Sequence, residues 1–242
     1  MGRIIDVLLR KEEQEVLKCS YMSLDVYAPR TGRMFVFSGI QFRKDDINEG
    51  DEINVEISIN NRYGFCNFFI QFDILVLSCD FEIQTEDKLR VYGNVFNIGN
   101  SEYDQRVVDV FNMWQTDKSF DWFNCPVGSP LKLEYISACM SYSGLSKLMP
   151  EKNVFYFDMA LVKEERDFFY LSSLDFVGDR GYFGHDLHTF KSCLLEIYNY
   201  CGAFQGKKVV FINSNRICSS EMEDLFENLK ETFLAFSFLV EY

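Results

Sequence analysis

Two histidines stand three positions apart in the stretch GYFGHDLHTFKSCL, residues 181–194, as His185 and His188 with Asp186 between them. They are the only histidines of the chain. Imidazoles beside a carboxylate suit three chemistries: a metal site, an acid/base pair for hydrolysis, or the polar rim of a protein-binding surface. A metal site needs ligands that converge on one point, whereas three candidates within four positions at a helix start face in different directions, and no C-x-x-C pair stands by to complete a set. Hydrolysis needs a nucleophile elbow, a Gly-rich phosphate loop or an H-E-x-x-H helix, and none occurs. The stretch therefore reads either as a binding face or as solvated histidines at a helix N-terminus. No metal, cofactor or catalytic residue is assigned.

Composition bounds the choice. The chain has 242 residues, 48% hydrophobic and 25% charged, as globular domains do. Lys plus Arg number 24 against 37 Asp plus Glu, a net charge of −13. Such a charge disfavours contact with nucleic-acid phosphates and suits a basic protein partner. The N-terminal segment MGRIIDVLLRKEEQEVLKCS lacks the apolar core and small-residue cleavage site of a secretory signal, and no run of about 18 uncharged apolar residues suggests a membrane span. A cytoplasmic location is expected. Eight cysteines without C-x-x-C spacing then read as reduced thiols, with no disulfide framework.

The apolar period changes near Pro150. In EINVEISIN, Ile53, Val55, Ile57 and Ile59 alternate with polar residues, the pattern of a strand with one wet face. RMFVFSGIQF, FCNFFIQFDILVLS, KLRVYGNVF, VVDVFNMW and LKLEYISACM are rich in β-branched and aromatic residues and read as further strands. Trp114 and Trp122 read as core, with a loop-borne recognition patch as the alternative. Beyond Pro150, NVFYFDMAL reads as a buried strand and VKEERDFFYLSSLDF as a helix. Asp186 then caps a helix on which Leu187, Phe190, Leu194, Ile197, Tyr198 and Cys201 recur at three- and four-residue spacing. KKVVFIN follows as a strand, SSEMEDLFENLKETFLA as a helix opened by a Ser220–Glu223 capping box, and FSFLVEY as a last strand. The predicted fold class is an α+β two-part chain: residues 1–150 as a β-rich sandwich or barrel of six to eight strands, and residues 151–242 as an α/β domain with a small parallel sheet and flanking helices.

The order of elements in residues 151–242, with the GYFG turn leading into DLHTFKSCL, resembles the barstar-like ribonuclease inhibitors, intracellular proteins that block the ribonuclease barnase. Tyr182, Phe183, Gly184 and Leu187 match the motif of two aromatics, glycine and a leucine-bearing helix, and Phe190 falls in its apolar place. In that family, acidic side chains on the motif helix fill the phosphate site of the ribonuclease. Their places here are taken by His188 and Ser192, and an acidic place on the last helix by Asn228, with Glu227 beside it. The resemblance implies the inhibitor fold and a motif helix used as a binding face, toward a partner other than barnase. Related domains are common among immunity proteins that protect bacteria from delivered toxins, frequently nucleases.

The expected function is that of a non-enzymatic cytoplasmic immunity protein that occludes the active site of a cognate toxin, an RNase with a basic cleft in the first instance. The partner-binding residues are Tyr182 at the rim, Gly184 where the turn approaches closely, Asp186 at the cap, His188, Lys191, Ser192 and Leu195 on the helix face, and Glu227 and Asn228 on the last helix. The alternatives are a nucleic-acid or nucleotide-processing hydrolase and an interaction scaffold unrelated to toxins. The β-rich part is open to three roles: a second toxin surface, a dimerisation element, or the main inhibitor.

Overall fold

The computed structural model describes residues 4–25, 32–44, 46–82, 88–96, 105–116, 118, 120–217 and 219–242, without the side chains of 25, 66–69, 81 and 82. The chain divides into two compact units, Met1–Ser119 and Phe120–Tyr242.

Six antiparallel strands close the first unit into a barrel: β1 (Ile5–Lys11), β2 (Gln14–Asp25), β3 (Arg33–Arg43), β4 (Glu52–Asn60), β5 (Cys66–Glu82) and β6 (Lys88–Phe96), in the order β1-β2-β3-β6-β5-β4 with β4 returning to β1. Alternation fills the interior. Ile53, Val55, Ile57 and Ile59 point inward and meet Phe35, Phe37, Phe72 and Ile74, all inaccessible to water or nearly so. Register shifts at Leu9/Arg10, Lys18/Cys19, Ile57/Ser58 and Val76/Ser78 supply the bends that closure requires. At Gly93 a Cβ would lie 2.4 Å from the Ile74 side chain and 2.5 Å from the Leu75 carbonyl, so β5 and β6 meet there only over glycine. Helix α1 (Gln105–Gln115) packs Val107, Val108, Val110, Phe111 and Trp114 into this unit. Asn112 Nδ2 donates to the Met22 carbonyl at 2.9 Å, and the Ile4 amide donates to Gln115 Oε1 at 2.7 Å.

The second unit runs α2 (Pro130–Ser143), β7 (Val154–Asp158), α3 (Glu165–Phe176), α4 (Leu187–Cys201), β8 (Lys208–Ile212), α5 (Ser220–Ala235) and β9 (Leu239–Glu241). β7, β8 and β9 form a parallel sheet in that order. Its inner face carries Phe155, Phe157, Val209 and Phe211 against Phe168, Phe176, Phe190 and Phe233 from the helices, with Phe233 in ring contact with Phe157, Phe190 and Phe238. Its outer face leaves Tyr156, Ile212 and Leu239 exposed.

The predicted fold class is corrected. The chain is α+β, with a closed six-stranded barrel in place of a β-rich region extending to residue 150, and with no sandwich among the described residues. VVDVFNMW and LKLEYISACM are the helices α1 and α2, and the unit boundary at Ser119/Phe120 lies well ahead of Pro150. In VVDVFNMW, Val107, Phe111 and Trp114 share a helical face, a period masked by β-branched composition. In LKLEYISACM the polarity is inverted over the first four residues, where Lys132 and Glu134 are buried while Leu131 and Leu133 are exposed, and turns ordinary at the buried Tyr135, Ile136, Ala138 and Cys139. The α5 cap is also one residue earlier than predicted, with Ser219 accepting from the Met222 amide.

A buried ion network explains Lys132. The side chains of Lys132 and Asp167 are each 1% exposed, and Lys132 Nζ lies 2.8 Å from Asp167 Oδ1 and 2.7 Å from Glu164 Oε1. Asp167 also accepts from Trp122 Nε1 at 2.7 Å and from the amides of Lys163 and Glu164 at 2.9 and 3.1 Å. The Trp122 indole stacks on Tyr170 with 4.2 Å between centroids. Burial pulls the Lys132 pKa down, but hydrogen bonds to Asp167 and Glu164 outweigh it and hold the ammonium above the usual lysine range. Lys132→Met keeps the volume of the stem and strands a buried carboxylate, so urea denaturation should show a loss of about 3 kcal/mol or more. A folded pKa raised above the unfolded value near 10.4 stabilises fully below that value and is lost as pH climbs through the folded one. The gap between parent and variant should therefore hold at neutral pH and narrow only above about pH 10.

Candidate functional site

The site begins at a turn that only glycine fits. Gly184 sits at φ +96°, and a Cβ there would lie 2.6 Å from the Phe190 amide nitrogen and 2.8 Å from its Cα, so the turn lies directly on the first turn of α4. Asp186 closes the helix with a capping box. Its Oδ1 accepts the Thr189 amide at 2.7 Å, while Thr189 Oγ1 accepts the amides of Asp186 and His185 at 3.1 and 2.9 Å. The Thr189 amide bond holds the Asp186 carboxyl below the usual carboxylate range, with partial burial opposing.

The two histidines part company here. His185 turns back toward the unit, its Nδ1 3.1 Å from the Tyr182 hydroxyl and its Nε2 3.4 Å from Asp186 Oδ2. His188 faces solvent from α4. Among the described residues no group of three or more His, Cys, Asp and Glu is arranged to hold a metal. Cys19, Cys79, Cys125, Cys139, Cys193 and Cys201 are free thiols; Cys218 and the Cys66 side chain lie outside the described residues.

Of the nine predicted partner-binding residues, four meet in one place. His188, Lys191, Ser192 and Leu195, all exposed, form the α4 wall of a groove of about 500 Å³ whose other wall is Glu231, Thr232, Ala235 and Phe236 at the end of α5. Leu195 is 49% exposed, an apolar side chain that α4 leaves uncovered. Asn228, earlier on α5, opens instead onto a neighbouring depression of about 470 Å³ beside Leu187, Lys163 and Glu165. Glu227 lines neither and pairs with Lys230 at 2.9 Å. Tyr182 is not at a rim: it is 2% exposed, and burial pushes its hydroxyl pKa up. Gly184 is buried as well. Both shape the α4 start and offer no contact surface. Sequence reasoning missed the α5 wall, although Glu231, Thr232 and Ala235 follow Asn228 at helical spacing.

Compared with known proteins, the chain matches no family model, no curated protein and no solved structure. The site must be judged on its own chemistry. The groove pairs apolar surface from Leu195, Ala235 and Phe236 with one cation, Lys191, and one carboxylate, Glu231, on opposite walls. Within it Ser192 Oγ donates to the His188 carbonyl oxygen at 3.0 Å and not to the imidazole.

Asp186→Ala should cost about 1 kcal/mol of stability in urea denaturation. A carboxyl whose folded pKa is depressed stabilises above its unfolded pKa and loses that contribution as pH falls through the folded value. The difference between Asp186→Ala and the parent should therefore be full at pH 7 and shrink below about pH 4.

Proposed function

We propose that this chain is a cytoplasmic immunity protein that binds a cognate bacterial toxin, an RNase in the first instance, and neutralises it by covering its active site. The observation that carries the reading is the groove: four α4 side chains nominated from the sequence, His188, Lys191, Ser192 and Leu195, line the same concavity and are open to solvent. The net charge of −13 supports it, because a nuclease that holds an anionic substrate has a cationic cleft and would be drawn to an acidic body. The location is part of the proposal. Among the described residues no helix is long and apolar enough to cross a membrane.

The departure from an acidic plug gives the mechanism its form. Neither His188 nor Ser192 can replace a substrate phosphate as a carboxylate does, so occlusion rests on an apolar anchor seated between α4 and α5, with long-range charge setting the rate of encounter. A scaffold unrelated to toxins has one observation in its favour, the exposed outer sheet face of Tyr156, Ile212 and Leu239.

The test first reads the gene neighbourhood for an adjacent nuclease toxin, whose absence counts against the reading, and then measures affinity for that toxin, protection of cells and thermal midpoint. Ser192→Arg and Leu195→Asp should each weaken binding roughly thirtyfold, about 2 kcal/mol. The midpoint should barely move, because exposed helix positions usually shift stability by only about 0.5 kcal/mol. Binding that survives both and is lost on Tyr156→Arg would transfer the partner surface to the sheet and remove the α4 reading.

A further inference from the structure

On the outside of the barrel an open cleft of about 890 Å³ lies between the β1–β2 turn and the turn that precedes β4. A row of side chains crosses its floor on four adjacent strands: Arg10 of β1 stands opposite Asn54 of β4, Asn54 opposite Asp73 of β5, and Asp73 opposite Phe96 of β6. Ile53, Val55, Phe72 and Ile74 point into the barrel, so the same alternation turns Asn54 and Asp73 outward. Gln71 joins from the next row.

These groups are already oriented by one another. Gln71 Nε2 donates to Asn54 Oδ1 at 2.8 Å, and Asn54 Nδ2 donates to Asp73 Oδ1 at 2.6 Å. The two cations of the cleft are paired as well: Arg10 Nη1 with Glu56 at 2.9 Å, and Lys11 Nζ with Asp51 at 2.8 Å. Phe96, 39% exposed as a residue, closes the row.

We propose that this cleft binds a neutral oligosaccharide. A pyranose ring offers an apolar C–H face and a rim of hydroxyls, each of which both donates and accepts. An exposed aromatic ring covers the first. Planar amides suit the second, because an Asn or Gln carries two N–H donors and a carbonyl acceptor in one plane. In this row each amide spends one N–H on its neighbour and keeps the other for a ligand. The ligand carries no negative charge, because Arg10 and Lys11 are engaged by Glu56 and Asp51 and an anionic chain such as nucleic acid would meet Asp73 and the exposed Glu12, Glu13 and Glu52 at the rim; the hydroxyl-rich, uncharged pyranose is the ligand whose two surfaces the ring and the amides both match. Fatty ligands would need an apolar cavity, and this floor is polar. The row is preorganised, so binding loses little side-chain freedom.

The experiment is saturation-transfer NMR of the full chain with maltohexaose, cellohexaose, xylohexaose and chitohexaose, with hexalysine as the cationic probe. At least one hexaose should receive saturation at its C–H protons, and Phe96→Ala and Gln71→Ala should each weaken its binding by about tenfold. Thermal midpoints of both variants should match the parent, since both side chains are on the outer surface. The proposal fails if no hexaose receives saturation, if both variants bind like the parent, or if only hexalysine binds and is released by salt, which would assign the cleft to cations. No toxin enters the assay, so its outcome is independent of the α4 groove.

Discussion

One buried carboxylate holds the second unit in register. Asp167 receives the Lys132 ammonium, the Trp122 indole and the amides of Lys163 and Glu164, so it ties the segment before α2, α2 itself and the start of α3 to a single point. Removing a charge from water costs several kcal/mol, and only a full set of partners offsets it. That requirement makes residues 120–150 part of the same body as the sheet. It also sets the position of α3, whose Phe168 and Phe169 both contact Phe190 at the base of α4.

From there the order of causes runs outward to the groove. Phe190 is fixed by the aromatic core, Gly184 lets the preceding turn lie on it, and Asp186 satisfies the first amides of the helix. With Phe190, Cys193, Leu194 and Ile197 committed to the interior, His188, Lys191, Ser192 and Leu195 have only the outer face available. The groove's α4 wall is thus the complement of the core face on the same helix, and α5 closes its far side by the same logic.

Legibility in the sequence followed burial on one side. β4 could be read because Ile53, Val55, Ile57 and Ile59 alternate without exception, and α4 because its apolar residues keep a helical period under an unambiguous cap. α1 was hidden by valines and aromatics that favour strands in general, a preference overridden by a helical face packed on its unit. The first turn of α2 could not be read from hydrophobicity, since its buried Lys132 depends on Glu164 and Asp167, more than thirty positions away. The rim role given to Tyr182 failed for a related reason: an aromatic in a turn carries no mark of which way it faces. The barrel row of Arg10, Asn54, Asp73 and Phe96 exists only once four strands are laid side by side.

The two sheets also differ in how they end. The barrel returns β4 to β1, so among the described residues each of its six strands has a neighbour on both sides and little edge is left on which a foreign segment could template itself. The parallel sheet is open, with β7 and β9 at its margins, yet these strands span only five and three residues. Edges so short give an incoming strand few backbone groups to grip, which limits sheet-to-sheet aggregation in a chain rich in phenylalanine. Brevity at the margins does for the second unit what closure does for the first, and leaves side-chain chemistry as the main basis on which either unit meets another molecule.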